Sequence, residues 1–381
     1  MTVTPDSKDA SLLGPVLVTG GCGFLGYHLV SRLLSDPDCG SVYVLDVNTT
    51  NNTHPDAIYY KGSVTDPPHV LSSFLDTIKP TIVFHAASPS ATYAPRASFE
   101  STNVEGTRSL LRLVKEKPYI KGLVYTSSLD IYADPPLEHA KETHQLWPDH
   151  PRPWRGVSEY DRTKTIAHKL VLAANSPPAL KTAIIVPSHI WGVRDRQGLS
   201  LFFDTFADPR KPLWQVGDGR NVNSCVEAGN CAMAHVLAAK ALVDESRAKG
   251  RVDGEAFNVT DGEDVNFWQD IRVTCAMIRG CYGKGEELMP KVHVLPPWTM
   301  RLLVWLVKWM LLVFTLGFVE PSQPLSRNGC SWATEDHTLD DTKAREVLGY
   351  RPRQIEREEL LLKAVEFERE RRRAVAEKKL D

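Results

Sequence analysis

Residues 15–34 read PVLVTGGCGFLGYHLVSRLL, and the way this stretch changes period decides the fold. Val16, Leu17 and Val18 form a short apolar run that breaks into glycines, and apolar residues then recur at Leu25, Leu29, Leu33 and Leu34. Such a run followed by a helical period is a strand, a tight turn and a helix. Gly20, Gly23 and Gly26 space the turn as G-x-x-G-x-x-G. Glycine there lets the turn tighten and lets the backbone approach a pyrophosphate, whose charge rests on the helix N-terminus.

Working outward, further buried-strand candidates lie at 41–46 (SVYVLD), 81–88 (TIVFHAAS), 122–128 (GLVYTSS) and 182–188 (TAIIVPS). Helical periods fill about 68–79, 99–117 and 158–176. Strands that alternate with helices and are apolar nearly throughout predict a parallel sheet covered on both faces. The second strand ends in Asp46, twenty residues after Gly26. A carboxylate there accepts hydrogen bonds from a ribose 2′-hydroxyl and repels a 2′-phosphate. No arginine follows in DVNTT, so NAD is expected rather than NADP. From about residue 190 the pattern turns irregular and rich in Gly, Pro and Trp, the parts from which binding surfaces are built.

Composition excludes other classes. A chain of 381 residues can bury a large core, and a net charge of −2 with no basic stripe gives no electrostatic case for nucleic acid. Seven cysteines without a C-x-x-C, and no apolar secretory segment before PVLVTG, predict reduced thiols facing the cytosol. The twelve histidines show no metal-ligand spacing, so no metal is expected. The charge-dense end, EREELLLKAVEFERERRRAVAEKKLD, reads as a solvated helix with i,i+4 pairs.

The segment VSEYDRTKTIAHKLV puts Tyr160 and Lys164 at i,i+4, on one face of a helix. A phenol is a poor base at neutral pH, and an ammonium one turn away stabilises its phenolate. Ser127 and Ser128 fall at the C-terminal end of a parallel strand, the edge where open α/β sheets bind ligands. His85, His189 and His235 lie in apolar runs, where hydrogen-bonded packing is expected. Trp147, Trp154 and Trp191 suit either a flat apolar pocket or loop anchoring, and Cys22 reads as a small side chain that fits the glycine loop.

Over roughly residues 15 to 355 the chain resembles the extended short-chain dehydrogenase/reductase superfamily. VLVTGGCGFLG is similar to its cofactor loop, which implies cofactor contacts for Gly20, Gly23, Phe24, Leu25 and Gly26. VFHAAS resembles its fourth-strand signature, with Ala86 and Ala87 lining the cofactor, and STNVEGTRSLL carries its structural asparagine as Asn103. In VYTSSLDIYA the S-x-x-x-Y pattern assigns the catalytic serine to Ser128, upstream of Tyr132, with Ser127 as the fallback. Pro187 in VPSHIWG matches the proline that backs the nicotinamide. The serine segment, VGDGRNVNSCVEAGNCAMAHVLAAKAL and GEAFNVTDGEDVNFWQDI resemble the 3β-hydroxysteroid dehydrogenase and sterol-4α-carboxylate 3-dehydrogenase (decarboxylating) branch. KGSVTDP departs from the pattern, with Ser63 where an acidic adenine contact usually stands.

The resemblance implies that Tyr160, as phenolate, takes the proton of a secondary alcohol held by Ser128. Hydride leaves for NAD, and Lys164 holds the nicotinamide ribose. The expected reaction is oxidation of a 3β-hydroxyl on a sterol or triterpenoid-like substrate, with loss of a 4-carboxylate left open. A secondary-metabolite dehydrogenase, a nucleotide-sugar epimerase or dehydratase, and a non-enzymatic NAD(P)-sensing module are the alternatives. The expected organisation is a loose arm over 1–14, a Rossmann-like doubly wound NAD domain over 15–195 and a substrate region over 196–298. The substrate region's strands and helices return to the Rossmann domain, an apolar helix fills 299–319, and a closing segment with a charged helix fills 320–381.

TMRLLVWLVKWMLLVFTLGFV, 299–319, is long enough to be weighed as a membrane span. Arg301, Lys308 and Thr315 recur every seven residues and make one polar stripe on an otherwise apolar cylinder. TKAREVLGYRP beyond it resembles the superfamily's closing motif. If that motif docks on the catalytic body, both flanks lie on one side of the membrane. The expectation is a helix in the interface, anchored by Trp298, Trp305 and Trp309, on the cytosolic face of the endoplasmic reticulum. The partners expected are a small lipophilic substrate and a membrane surface, with a homodimer or association with other pathway enzymes left open.

Overall fold

The computed structural model describes residues 11–91, 94–149, 157–284, 291–315 and 327–377. The first half runs β1 (Val16–Thr19), α1 (Phe24–Leu34), β2 (Val42–Asp46), β3 (Ile58–Lys61), α2 (Pro68–Ile78) and β4 (Ile82–His85). It continues through α3 (Arg96–Phe99), a π-helical stretch (Glu100–Gly106), α4 (Thr107–Lys115), β5 (Gly122–Thr126), β6 (Leu137–Ala140), α5 (Glu159–Ala174) and β7 (Lys181–Pro187). Next come β8 (His189–Trp191), α6 (Gly198–Phe206), β9 (Leu213–Val216), β10 (Val222–Glu227), α7 (Ala228–Val243), β11 (Glu255–Val259) and β12 (Asp264–Asn266). The chain closes with α8 (Phe267–Arg279), β13 (Val292–Leu295), α9 (Pro297–Thr315), α10 (Arg327–Thr334), β14 (His337–Leu339), α11 (Thr342–Val347) and α12 (Arg357–Glu377).

Seven parallel strands make the main sheet, in the order β3-β2-β1-β4-β5-β7-β11. This is the Rossmann-like doubly wound arrangement expected from the strand–turn–helix opening. Its inner strands β1, β4 and β5 are buried at every residue, because helices cover both faces. Strand order reverses between β1 and β4, so the loops after those two strands diverge and leave a crevice at their C-terminal ends. Two strands of this sheet escaped the sequence reading. Edge strand β3 is half exposed and lacks an apolar run, while β11 crosses back from the irregular segment to pair with β7. Helix α7, which follows β10, packs against α1.

A second sheet runs β12-β10-β14-β6, with β8 paired to β10. It ties the closing segment to the body, since β14 pairs in parallel with both β10 and β6. Tyr350, in the TKAREVLGYRP motif, is fully buried and its hydroxyl donates to the Thr260 carbonyl at 2.9 Å. Residues 11–14, expected in a loose arm, are instead packed: Leu13 is fully buried and its N–H donates to the Asp38 carbonyl. Residues 1–10 lie outside the described residues.

The charged tail is more than a solvated helix. α12 buries Leu361, Ala364, Val365 and Glu368, and the Glu368 carboxylate accepts from Ser200, Arg371 and Arg372. α9 begins two residues before the apolar stretch and runs to Thr315; 316–319 lie outside the described residues. Among the described residues no helix is long and apolar enough to cross a membrane. α9 packs on α10, and its more covered side chains, Val304, Val307 and Leu311, share one seam. The opposite arc, with Leu302, Trp305, Leu306, Trp309 and Val313, is exposed, and so is Phe314 near the helix end.

Candidate active site

The crevice between the loops after β1 and β4 is shaped by small residues. Gly20 sits at φ +74°, and a Cβ on it would lie 2.7 Å from Cα of Ala87. A Cβ on Gly26 would collide with the Gly20 carbonyl, so the first turn of α1 can lie on the loop only as glycine. Ala86 and Ala87 face this turn from the end of β4, where the Ala86 N–H donates to the Thr19 carbonyl at 3.2 Å. Asp46, ending β2, accepts from the Cys22 N–H at 3.0 Å and from the Asn48 N–H at 2.9 Å. A narrow cradle of glycines with a carboxylate one strand away fits the pyrophosphate and adenosine ribose of a nicotinamide dinucleotide. Burial and the adjacent Asp46 push the Cys22 thiol up to about 12, so it is an inert filler of the loop.

From this cradle a cavity of about 790 Å³ extends across the sheet edge. Gly20, Gly23, Phe24, Leu25, Gly26, Asp46, Ala86, Ala87 and Pro187 line it, and so do Ser128, Tyr160 and Lys164. Every residue singled out for the site thus meets in one space. Leu201, Phe202, Phe267, Ile271 and Trp332 add aromatic and aliphatic wall, interleaved with Asp195, Arg196, Gln197, Asn223 and Asp270.

Local chemistry holds the three central side chains. A capping box opens α5: the Ser158 hydroxyl accepts from the Asp161 N–H, and the Asp161 carboxylate accepts from the Ser158 N–H. This sets Tyr160 and Lys164 on consecutive turns. Lys164 Nζ donates to the Thr126 carbonyl at 2.6 Å and sits 4.6 Å from the Tyr125 ring centre. Ser128 follows β5, and its hydroxyl donates to Asp130 Oδ2 at 3.0 Å. The Ser127 hydroxyl is engaged elsewhere, 3.0 Å from His168 Nδ1.

The electrostatics differ from the simple picture of a lysine lowering a tyrosine. Burial, and then the charge of Asp130, push the Tyr160 phenol above its ordinary value, while the Ser128 hydroxyl eases its ionisation. Burial drives Lys164 itself down to about 7, against the pull of Asp130. A low-dielectric site penalises the charged forms of both groups.

Other residues sort differently from expectation. His85 and His235 are packed as foreseen, bonded to Thr19 and Thr107 and to Thr126 and the Cys231 carbonyl respectively. His189 is not: it is exposed and lines the cavity. Trp147 anchors its loop by donating to the Asp130 carbonyl, Trp191 ends β8 and donates to the Asp261 carboxylate, and Trp154 lies outside the described residues. The aromatic wall comes instead from Phe202, Phe267 and Trp332. Of the missed groups, Asp130 was readable two residues past Ser128, whereas nothing local marks Trp332.

Comparison with known proteins agrees with this geometry. The sequence profile of the 3-beta hydroxysteroid dehydrogenase/isomerase family matches residues 17–285. Sterol-4-alpha-carboxylate 3-dehydrogenase, decarboxylating, of Saccharomyces cerevisiae is 31% identical over 353 residues, covering 90% of this chain and 95% of the relative. The protein of that name in Candida albicans is 30% identical over 360 residues, covering 89% and 93%. Among solved structures, UDP-glucose 4-epimerase of Thermotoga maritima, with UDP-glucose, superposes with a TM-score of 0.66 at 22% identity, over 93% of this chain and 99% of that one. A dTDP-glucose 4,6-dehydratase of Streptomyces venezuelae, with NAD and TYD bound, gives 0.66 at 21% identity, over 94% and 98%. At such identity the two structures share the fold with this chain.

Proposed function

The chain belongs to the 3-beta hydroxysteroid dehydrogenase/isomerase family, and from that premise we propose that it oxidises the 3β-hydroxyl of a sterol-like substrate to the 3-ketone with NAD. Where the substrate carries a 4-carboxylate, that group is lost as CO2. The observation that carries the reading is one cavity whose lining joins a glycine cradle, a Ser–Tyr–Lys set and a group of aromatic and aliphatic side chains. A flat hydrocarbon suits such a wall. The relatives' names point the same way, to carboxylated sterols.

In this reading Tyr160 takes the alcohol proton, Ser128 holds the alcohol oxygen, and Lys164 holds the nicotinamide ribose and supports the phenolate. When bound, the oxidised nicotinamide accepts the hydride and brings a positive charge that favours the phenolate. Gly20, Gly23, Phe24, Leu25 and Gly26 cradle the pyrophosphate, while Ala86, Ala87 and Pro187 bound the slot for the rings. Asp46 takes the adenosine ribose hydroxyls, which favours NAD over NADP. Arg194 reaches that end from afar, but its guanidinium serves Asn52 and the Tyr27 ring. A carboxylate β to the new ketone leaves as CO2 because its bonding electrons flow into the carbonyl. Ser128 and Tyr160 then hold the enolate oxygen until the carbon takes a proton. The exposed arc of α9 docks on the cytosolic face of the endoplasmic reticulum membrane, from which a water-insoluble alcohol reaches the cavity.

Turnover of a 3β-hydroxysteroid, a 4α-carboxysterol and a UDP-sugar with NAD and NADP tests the reading. NADH should form with both steroids, and CO2 with the acid alone. NAD should be preferred at least about 10-fold in kcat/KM. Tyr160→Phe should abolish turnover and spare NAD binding. Unchanged turnover by that variant, or turnover of the UDP-sugar alone, overturns the proposal.

A further inference from the structure

Ser128, Tyr160 and Lys164 come to the cavity from the end of β5 and from α5, whereas the second sheet lines it with β10 and β12. β10 lies between β12 and β14, and Asn223 on it pairs with Val265 on one side and with His337 on the other. Side chains alternate along a strand, so Asn223 and Cys225 share one face, and both line the cavity. Ser224 points the other way, donating to Asp264 and accepting from the Leu339 N–H. Asn223 is 3% exposed, and no hydrogen bond reaches its buried Oδ1. Buried amide oxygens are nearly always bonded, because an unmet one keeps its full desolvation penalty. Two other orphaned atoms line the cavity among the described residues, Ser188 Oγ and Asp161 Oδ1. Ser188 adjoins Pro187 and Asp161 adjoins Tyr160, so both belong to the site already described; Asn223 does not.

The surroundings of this amide say what would meet it. Val265 stands across from it on β12, and Phe267 and Ile271 follow from the first turns of α8. Asp270 also lines the cavity, but Arg357 holds its two carboxylate oxygens at 2.9 and 3.0 Å and lies over the Trp191 ring. Burial pushes the Cys225 thiol up to about 12, so it is a neutral neighbour. The lining from β10, β12 and α8 thus holds one unmet amide, apolar side chains, a carboxylate already matched, and no cation. We propose that Asn223 is a substrate-binding residue that hydrogen-bonds a second, uncharged hydroxyl, so that the chain takes an oxygenated sterol or triterpenoid in preference to one that is hydrocarbon beyond its 3β-hydroxyl. The proposal rests on the sterol reading above and names the substrate class within it. An amide carries a donor and an acceptor, and a hydroxyl is both, so a hydroxyl satisfies it in either orientation. A ketone leaves Oδ1 unmet, a carboxylate finds no opposite charge on these elements, and a hydrocarbon desolvates the amide with nothing in return. In an apolar pocket a polar group of this kind fixes the orientation of the ligand.

The contact is measured with saturating NAD and 3β-hydroxysteroids that differ only in a second hydroxyl, placed on ring C, on ring D or on the side chain. Each diol is compared in kcat/KM with the parent that lacks the second hydroxyl. The wild type should favour at least one diol over the parent by about 10-fold or more. Asn223→Leu removes the amide and fills its space with hydrocarbon, so the same ratio should fall to within about 2-fold of unity. Asn223→Ala, which cannot overfill the wall, is the second arm and should lose the preference likewise. Misfolding or a structural role lowers both substrates together and leaves their ratio, so the ratio reads the contact alone. A wild type that favours no diol, or a preference that survives in either variant, overturns the proposal. No turnover of parent or diol by the wild type would instead sink the sterol reading, and the subsite with it.

Discussion

Burial drives Lys164 to about 7, below its ordinary 10.5, although Asp130 opposes the shift. Between those values the unfolded chain binds a proton that the folded chain does not, so stability rises with pH through that window. The fold therefore carries this lysine at a cost, a frequent mark of functional sites. Lys164→Met should raise Tm at neutral pH by about 2–4 °C and flatten the rise toward alkaline pH. Turnover should fall at least about 100-fold in the same variant. Melting curves at neutral and alkaline pH beside a rate assay check both. The cradle makes a second demand on single residues. Gly26→Ala puts a Cβ against the Gly20 carbonyl, and the backbone must shift. It should weaken NAD at least about 10-fold by titration and cost about 1–3 kcal/mol of stability. Tyr160, Lys164 and the glycines were legible because they obey local rules, a one-turn spacing and a strand–turn–helix signature. Asp130 stands in the serine segment, but its partnership with Ser128 comes from a one-turn helix that no period encodes. Trp332 reaches the cavity from about two hundred residues downstream, and only the folded chain brings it there.

Among elements, the inner strands and α5 were readable because burial on both faces leaves an apolar run and a helix leaves a period. β3 was not, since an edge strand half in water, IYYK, leaves neither. α12 shows the opposite failure. Its charges suggested a solvated helix, yet Glu368 is among the most buried charged residues and joins α12 to α6 through Ser200. Burial alone would raise its carboxyl, but bonds from Arg371, Arg372 and Ser200 outweigh that and hold it below the ordinary 4.5. A depressed carboxyl contributes stability that is complete above that ordinary value and is lost as pH falls through the folded one. Glu368→Gln should therefore lower Tm at neutral pH, at a cost of about 1–3 kcal/mol, and the gap from wild type should narrow in acid. Thermal melts across the acid limb measure it. A gap that stays constant with pH would mean that Glu368 acts by packing alone.

On the scale of the whole molecule, α9 is bracketed by two anchored strands: β13 pairs with β9 before it, and β14 joins the second sheet after it. The chain leaves and re-enters the same body, which is how the closing motif comes to dock where the sequence placed it. The seven-residue recurrence of Arg301 and Lys308 takes on a physical meaning from this. On a helical wheel the two lie beside the Val304 seam that packs on the body, and Arg301 pairs with Glu335 at 3.7 Å. The polar stripe thus sits near the protein side, and the side facing away is left to tryptophans, leucines and Val313. Such an arc buries several large side chains if it meets a bilayer, at about 1.5–3 kcal/mol for each one fully buried. Replacing Trp305, Trp309 and Phe314 with serine should forfeit about 3–6 kcal/mol of that burial and weaken vesicle binding at least about 100-fold. Flotation with phosphatidylcholine vesicles measures the binding. None of the three side chains lines the cavity, so turnover of a water-soluble secondary alcohol should be unchanged. Turnover of a vesicle-borne sterol should fall about 10-fold or more, because the substrate now has to cross water. Equal flotation of the variant and the wild type would exclude docking through α9, and protease protection of a C-terminal tag in microsomes would mean that the chain crosses the membrane instead.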